Sequence, residues 1–427
     1  MSRRSALAVQ TRSSESPGGI WIHVHMIAMP VLAGVVGVVL LLAVLKDAFE
    51  VMLLPRRLKR RLRFTRYFFR WSWALWAAIA RMVAKTSRRE RFLSVYGPLA
   101  MTLLFAVWAV AMIVGFALLQ WAYQPFGGAA PIASFTDRLY LSGVTFFTLG
   151  YGDVTPKTDV ARLLAVIEAG VGFGLIAVVI GYLPVLYQLF SRREAHVLQL
   201  DARAGSPPTA TTMLCRHAES AGLDKLDELL RAWEIWGADL LESHLSYPML
   251  AYYRSQHDDQ SWLGALAAII DTCALVLVGV EEVKPLQARM TFAMARQVIL
   301  EMARSLEVQT PFTSDSRMPP EDFETMLAAF SRVGLTWNGG EQAEETLAAV
   351  RATYEPLMQA LGEHLLIPLP AWVASQNASD HWERGARGII ASRLISGLAD
   401  GSLSTGLPRS ARSRGWLGRV RERPRTP

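Results

Sequence analysis

Three long apolar runs decide what this chain can become. Residues 26–45 carry no charge over 20 positions, residues 98–122 none over 25, and residues 163–190 hold 28 positions with Glu168 as the sole ionisable group. At ~1.5 Å of rise per residue, the shortest run already reaches the ~30 Å depth of a bilayer's hydrocarbon core. In lipid the backbone must satisfy its own N–H and C=O groups, so runs of this length read as helices. Hydrophobic residues make up 52% of the 427 and charged residues 19%, against ~45–50% apolar in a soluble chain. The sequence predicts a mainly α membrane protein.

The charges lie where they would orient those spans. Lys and Arg exceed Asp and Glu by 44 − 37 = +7. Arg56, Arg57, Lys59, Arg60, Arg61, Arg63 and Arg66 follow the first run, Arg81, Lys85, Arg88, Arg89 and Arg91 precede the second, and Arg192 and Arg193 follow the third. Cations flanking spans mark the cytoplasmic side and suit anionic lipid headgroups, so no nucleic-acid partner is expected. Residues 67–84 contain Arg70 and Arg81 among crowded aromatics. Spanning with them would split the basic clusters across the membrane, so they are expected to lie in the interface, leaving three spans and the tail before residue 26 outside. Cys215 and Cys273 are the only cysteines, which excludes a disulfide framework or a Cys-rich metal site.

Between the second and third runs, residues 123–135 lack Lys and Arg. The chain then reads Thr136-Asp137-Arg138-Leu139-Tyr140-Leu141-Ser142-Gly143-Val144-Thr145-Phe146-Phe147-Thr148-Leu149-Gly150-Tyr151-Gly152-Asp153. This resembles the pore helix and selectivity filter of potassium channels, of a bacterial type with an extra N-terminal span. Thr148, Leu149, Gly150, Tyr151 and Gly152 stand where that family has Thr-Val-Gly-Tyr-Gly, and Asp153 at the outer mouth, Val154, Thr155 and Pro156 continue the likeness. Leu149 replaces the commoner Val, and Phe147 stands where many members have Thr. The resemblance implies a re-entrant pore helix and filter loop between two spans.

The chemistry of the spacing supports that implication. A potassium ion exchanges its hydration shell for backbone carbonyls facing one axis. Gly150 and Gly152 allow the alternating backbone that this requires. Thr148 adds a hydroxyl, Tyr151 is placed to brace the filter from behind by hydrogen bonding, and Leu149 contributes its carbonyl. Thr136 is expected to cap a helix over residues 137–147 that begins with Asp137 and aims its negative dipole end at a cation. Four filters must surround one axis, and the chain has one copy, so a homotetramer is expected. The permeant K+ is the only ion called for, and no cofactor or further metal.

Gly172, Gly181 and Pro184 in the third run are candidate hinge or gate positions, since glycine and proline lower the cost of bending. Close packing by small residues is the equal alternative at Gly172. Glu168 is expected to be a structural partner behind the filter. No helix carries the regularly spaced arginines of a voltage sensor.

The expected organisation is an N-terminal tail (1–25), a first transmembrane helix (26–54), a basic and interfacial amphipathic segment (55–94), a pore domain (95–190), an all-helical soluble domain in the cytoplasm (191–404) and a disordered basic tail (405–427). Helical periodicity runs through residues 223–244, 261–280, 286–308, 321–333 and 341–366. Residues 262–280 are apolar, but Asp271 at their centre would cost ~3 kcal/mol in a membrane, so they read as a buried core helix. His244, His257, Asp258 and Asp259 read as solvated helix ends rather than a metal site. No glycine-rich nucleotide loop appears, and no enzymatic activity is expected. The whole predicts a potassium-selective channel in the plasma (inner) membrane, gated by an unidentified stimulus. A weakly selective cation channel and a non-conducting membrane sensor that keeps the pore fold are the alternatives. A chain ended near residue 200 is expected to keep its selectivity.

Overall fold

The computed structural model of the chain describes residues 17–52, 64–83, 87–123, 134–219, 222–257, 259–309, 316–338, 340–375, 380–383 and 385–399. The cations between Arg56 and Arg63, Asp258 and the expected basic tail lie outside these. Among the described residues every regular element is helical, apart from one isolated bridge between Val280 and Trp337. The chain divides into two units, Met1–Ser191 with Ser243–Arg254, and Arg192–Glu242 with Ser255–Pro427.

The first unit contains α1 (Pro17–Met52), α2 (Phe64–Met82), α3 (Ser87–Tyr123), α4 (Phe135–Phe146) and most of α5 (Asp159–Gln199). Among the described residues three helices are long and apolar enough to cross a membrane, over Met29–Met52, Ser87–Tyr123 and Asp159–Ala204. They carry the three runs seen in the sequence. Their core is built by Leu41 and Val44 of α1, Leu104, Trp108 and Met112 of α3, Phe146 of α4, and Tyr182 and Leu186 of α5. On α5 the buried positions Glu168, Gly172, Tyr182, Leu186 and Phe190 form one stripe, as a helix with 3.6 residues per turn requires. Phe173, Ile180 and Tyr187 lie off that stripe and are exposed in the single chain.

α2 is amphipathic. Trp73, Ala77 and Ala80 are buried, and Trp76 stacks on Phe92 of α3 at 4.3 Å while donating its indole N–H to the Phe92 carbonyl at 3.2 Å. Its start is pinned by Asp47 of α1, a buried acid whose carboxylate accepts the Thr65 backbone N–H at 3.2 Å, the Thr65 hydroxyl and the Trp108 indole N–H at 3.1 Å. Three helices thus meet at one satisfied carboxylate.

The first unit also takes in Ser243–Arg254, from within the 191–404 stretch expected to form a separate domain. α8 (Leu223–Ser246) begins in the second unit and ends in the first, and a 3-10 turn, Pro248–Tyr252, follows. Met249 and Leu250 enter the core of the membrane-spanning helices. Tyr252 packs on Trp73 at 4.9 Å and Tyr96 at 5.5 Å, Tyr247 on Tyr182 at 5.4 Å, and Tyr253 on Phe190 at 5.6 Å. A side chain at Gly97 would collide with the Tyr253 ring at 2.7 Å. Arg254 pairs with Glu90 at 3.6 Å.

The second unit continues with α6 (Asp201–Ala204), α7 (Ala210–Glu219) and most of α8. It is completed by α9 (Trp262–Val278), α10 (Pro285–Leu306), α11 (Pro320–Arg332), α12 (Gly340–Ala352), α13 (Glu355–Leu365) and α14 (Gly385–Ala399). α9 is the core helix that the sequence predicts, with Trp262 to Val276 all buried. The single helix expected over 341–366 is broken into α12 and α13, because Pro356 in the first turn of α13 cannot continue a helix from behind. α6, α7 and α14 lack the long periodic stripe by which helices are read.

Asp271 of α9 is compensated. Arg317 donates to both its oxygens at 2.8 Å and Tyr354 to one at 2.7 Å, while Arg317 also reaches Glu355 at 3.1 Å and the Pro370 carbonyl at 3.0 Å. Arg351 pairs with the other Glu355 oxygen at 2.9 Å. Burial pushes the Asp271 carboxyl up from 3.8 to about 6, against the pull of Arg317 and Tyr354. A value raised by folding gives stability that is present at low pH and lost as pH rises through about 6. Arg317→Met strips the carboxylate of its cation and is expected to cost about 3–5 kcal/mol. Without Arg317 the carboxyl takes a proton more readily, so the deficit should be larger at ~pH 8 than at ~pH 5. Melting curves of the full chain at both pH values check this, and an equal deficit at the two would contradict it.

Candidate ion-conduction site

The short helix α4 begins two residues earlier than the sequence suggested, at Phe135 rather than Asp137. Ser134, not Thr136, is the N-cap of α4, with φ −62° and ψ 156°. Its hydroxyl accepts the Asp137 backbone N–H at 3.2 Å, and the Asp137 carboxylate accepts the Ser134 N–H at 3.1 Å. This reciprocal capping box satisfies two donors that a helix start leaves open, and Asp137 also complements the positive dipole end. Thr136 falls inside the helix. The pattern S-x-x-D was present in the sequence and was missed because Thr136 also has a capping side chain.

At the other end, α4 closes onto the candidate filter, Thr148–Gly152. Phe147 N–H donates to the Gly143 carbonyl at 3.1 Å, Thr148 N–H to Thr145 at 3.0 Å, and Leu149 and Gly150 N–H both to Val144 at 2.7 and 3.3 Å. From there the backbone alternates. Thr148, Gly150 and Gly152 have φ of 58°, 57° and 79°, while Leu149 and Tyr151 between them do not enter the left-handed region. Two of these three positions are glycine, which meets no penalty there. Thr148 is β-branched, and holding it left-handed costs on the order of 1–3 kcal/mol, a strain characteristic of functional segments.

Beyond the filter, the Tyr140 hydroxyl donates to Asp153 at 2.8 Å, and the Val154 N–H donates to its other oxygen at 3.0 Å. Asp153 is thereby tied to the pore helix, a link that the sequence reading did not assign to Tyr140. Phe147, Leu149 and Tyr151 are 47%, 55% and 69% exposed in the single chain. The bracing expected of Tyr151 has no partner for its hydroxyl among the described residues of one chain.

Two rungs fasten the inner helix to the pore helix. A Cβ on Gly172 would lie 2.2 Å from the Phe146 carbonyl oxygen, so this glycine is a contact position, and the packing alternative holds there. One turn earlier Glu168, fully buried, meets Ser142 of α4 and receives the Gln120 side-chain N–H of α3 at 3.0 Å. The Ser142 hydroxyl also lies 2.7 Å from the Ile113 carbonyl of α3. Glu168 therefore joins α5 to both α3 and α4 behind the candidate filter. Ser142 and Gln120 were missed, although a lone glutamine in an uncharged span is a signal in its own right. A side chain at Gly181 would meet nothing within 4 Å, and Pro184 lies inside α5.

His244 is not a solvated helix end. It is fully buried beside Ser243, and among the described residues no cluster of His, Cys, Asp or Glu suits a metal ion.

A short capped helix and a loop of alternating backbone hand thus lie between two long apolar helices. Residues 99–188 match the family model described as an ion channel. The chain is 24% identical over 196 residues to the uncharacterized membrane protein YdjJ of Bacillus subtilis (strain 168), covering 45% of this chain and 56% of that one. It is 39% identical over 84 residues to Protein LctB of Bacillus caldotenax, 17% of this chain and 62% of that protein. It is also 38% identical over 52 residues to Two pore potassium channel c of Oryza sativa subsp. japonica, covering 12% of this chain and 11% of that one. The chain thus spans about 56–62% of the length of the first two relatives. No solved structure matches it significantly.

Proposed function

We propose that the chain is one subunit of a homotetrameric, potassium-selective channel. The observation that carries this reading is the left-handed alternation at Thr148, Gly150 and Gly152 directly after a capped pore helix. Alternating hands turn successive carbonyls toward the same side, which is the arrangement that replaces an ion's water shell. The likeness to a protein named as a potassium channel adds to it. One filter per chain calls for four chains, and the exposed Leu149, Tyr151 and Phe173 are the apolar surface such an assembly covers.

Purified protein in liposomes should carry K+ flux that barium blocks and should exclude Na+. Equal K+ and Na+ flux would favour the weakly selective alternative, and no flux the non-conducting one.

α2 lies in the cytoplasmic interface in this reading. Arg66, Arg70 and Arg81 are exposed alongside Trp71, Leu75 and Ile79, a mixture suited to anionic headgroups and acyl boundary. The tail before residue 26 is then outside, and everything after residue 190 inside. A cysteine introduced at Ser13, in a chain lacking Cys215 and Cys273, should react with an impermeant label from outside. Labelling only from the cytoplasmic side would contradict three spans.

A further inference from the structure

We infer that Glu168 is a positioning residue for the filter, acting as an uncharged carboxyl that clamps the pore helix to both spanning helices through Ser142 and Gln120. The inference rests on the potassium-channel reading and names what holds its filter in place.

Counting protons gives the charge state. The Ser142 hydroxyl has one proton. Its oxygen lies 2.7 Å from the Ile113 carbonyl, which only accepts, so that proton is committed to Ile113. The same hydroxyl oxygen is in hydrogen-bond contact with Glu168 Oε1. The proton between those two oxygens must then come from the carboxyl. Glu168 Oε2, left as a carbonyl, accepts the Gln120 N–H at 3.0 Å. No described Lys, Arg or His pairs with this fully buried side chain, so nothing there would offset a negative charge. Three hydrogen bonds then hold three protons, one each from Ser142, Glu168 and Gln120.

The position of the clamp gives its role. Ser142 and Phe146 are one turn apart on α4, and Glu168 and Gly172 are one turn apart on α5, so the clamp and the glycine contact act on the same face of the pore helix. At the end of that helix the Val144 and Thr145 carbonyls accept the backbone N–H groups of Thr148, Leu149 and Gly150. Movement of α4 therefore moves Thr148, Leu149 and Gly150.

The test compares Glu168→Gln, Glu168→Ala and Ser142→Ala in the full-length channel. Glutamine is neutral, donates to Ser142 and accepts from Gln120, so Glu168→Gln should keep the K+ to Na+ permeability ratio within about twofold of wild type. Losing a buried hydrogen-bond partner leaves the others unsatisfied, and Glu168→Ala and Ser142→Ala should each lower the ratio about tenfold. They should also shorten the conducting lifetime in low K+. Hydrogen exchange of residues 135–147 supplies a readout that needs no current: faster exchange in the alanine variants and unchanged exchange in Glu168→Gln. Loss of selectivity in a folded, tetrameric Glu168→Gln channel would overturn the uncharged clamp. Wild-type selectivity and exchange in Glu168→Ala would overturn the positioning role. A wild-type protein without K+ current would instead refute the channel reading, and the exchange comparison would still decide the clamp.

Discussion

Replacing Gly150 or Gly152 with alanine should abolish the proposed potassium-selective conduction and leave expression and folding intact. The reason is conformational rather than steric. The two glycines hold φ of 57° and 79°, and an added Cβ at either would meet no atom of the chain within 4 Å. The penalty is that of a left-handed L-residue, about 1–2 kcal/mol per position. In an assembly of four chains it recurs around one axis, giving about 4–8 kcal/mol against the conducting backbone. Thr148 already carries such strain, so the loop has little reserve to absorb more. Single-channel recording and size-exclusion of the same preparation check both halves of the expectation. An alanine channel with wild-type preference for K+ would show that the alternation is not what selects the ion.

Ending the chain after residue 200 destabilises the membrane-spanning unit itself. The sequence gives no warning of this, because residues 191–404 read as a soluble domain hung on the inner helix. The structure returns Ser243–Arg254 to the first unit, with Met249 4%, Leu250 1% and Tyr252 9% exposed. Each such side chain contributes about 1.5–3 kcal/mol when buried, and the truncation removes all of them together with the Tyr253 contact on Phe190 and Gly97. The truncated protein should melt well below the full chain and yield fewer tetramers. Leu250→Ala is the milder version, expected to cost about 2–5 kcal/mol. A truncated chain with full-length melting temperature and yield would show that the segment is dispensable. A chain ended near residue 200 keeps every filter residue, but Met249 and Leu250 are lost from the core of the spanning helices, which gives the expected weakening of the tetramer a physical cause.

What was legible in the sequence follows the reach of each signal. Spans, pore helix and filter are written in consecutive residues, and uncharged runs or a five-residue filter need no partner elsewhere to be recognised. Asp271 stands out in the sequence because a charge within an apolar helix is conspicuous, but its partner Arg317 lies 46 positions away. Glu168 was conspicuous for the same reason, while Ser142 and Gln120 lie 26 and 48 positions from it on other elements. Only folding brings them together. The segment after α8 was invisible for a different cause: a five-residue 3-10 turn has no periodicity, and its aromatic run Tyr247 to Tyr253 looks the same whether it packs on soluble or membrane helices. The capping error was local, a choice between Ser134 and Thr136 that backbone geometry settles and composition does not.

The central claim is that this chain forms a filter that admits K+ and rejects Na+. Its most direct test is the reversal potential of purified wild-type protein in a planar bilayer, with K+ on one side and Na+ on the other. The account predicts a large reversal potential of the sign set by K+ permeation, abolished in the Gly150→Ala channel. A current that reverses near zero, or no current from a correctly assembled tetramer, would contradict it.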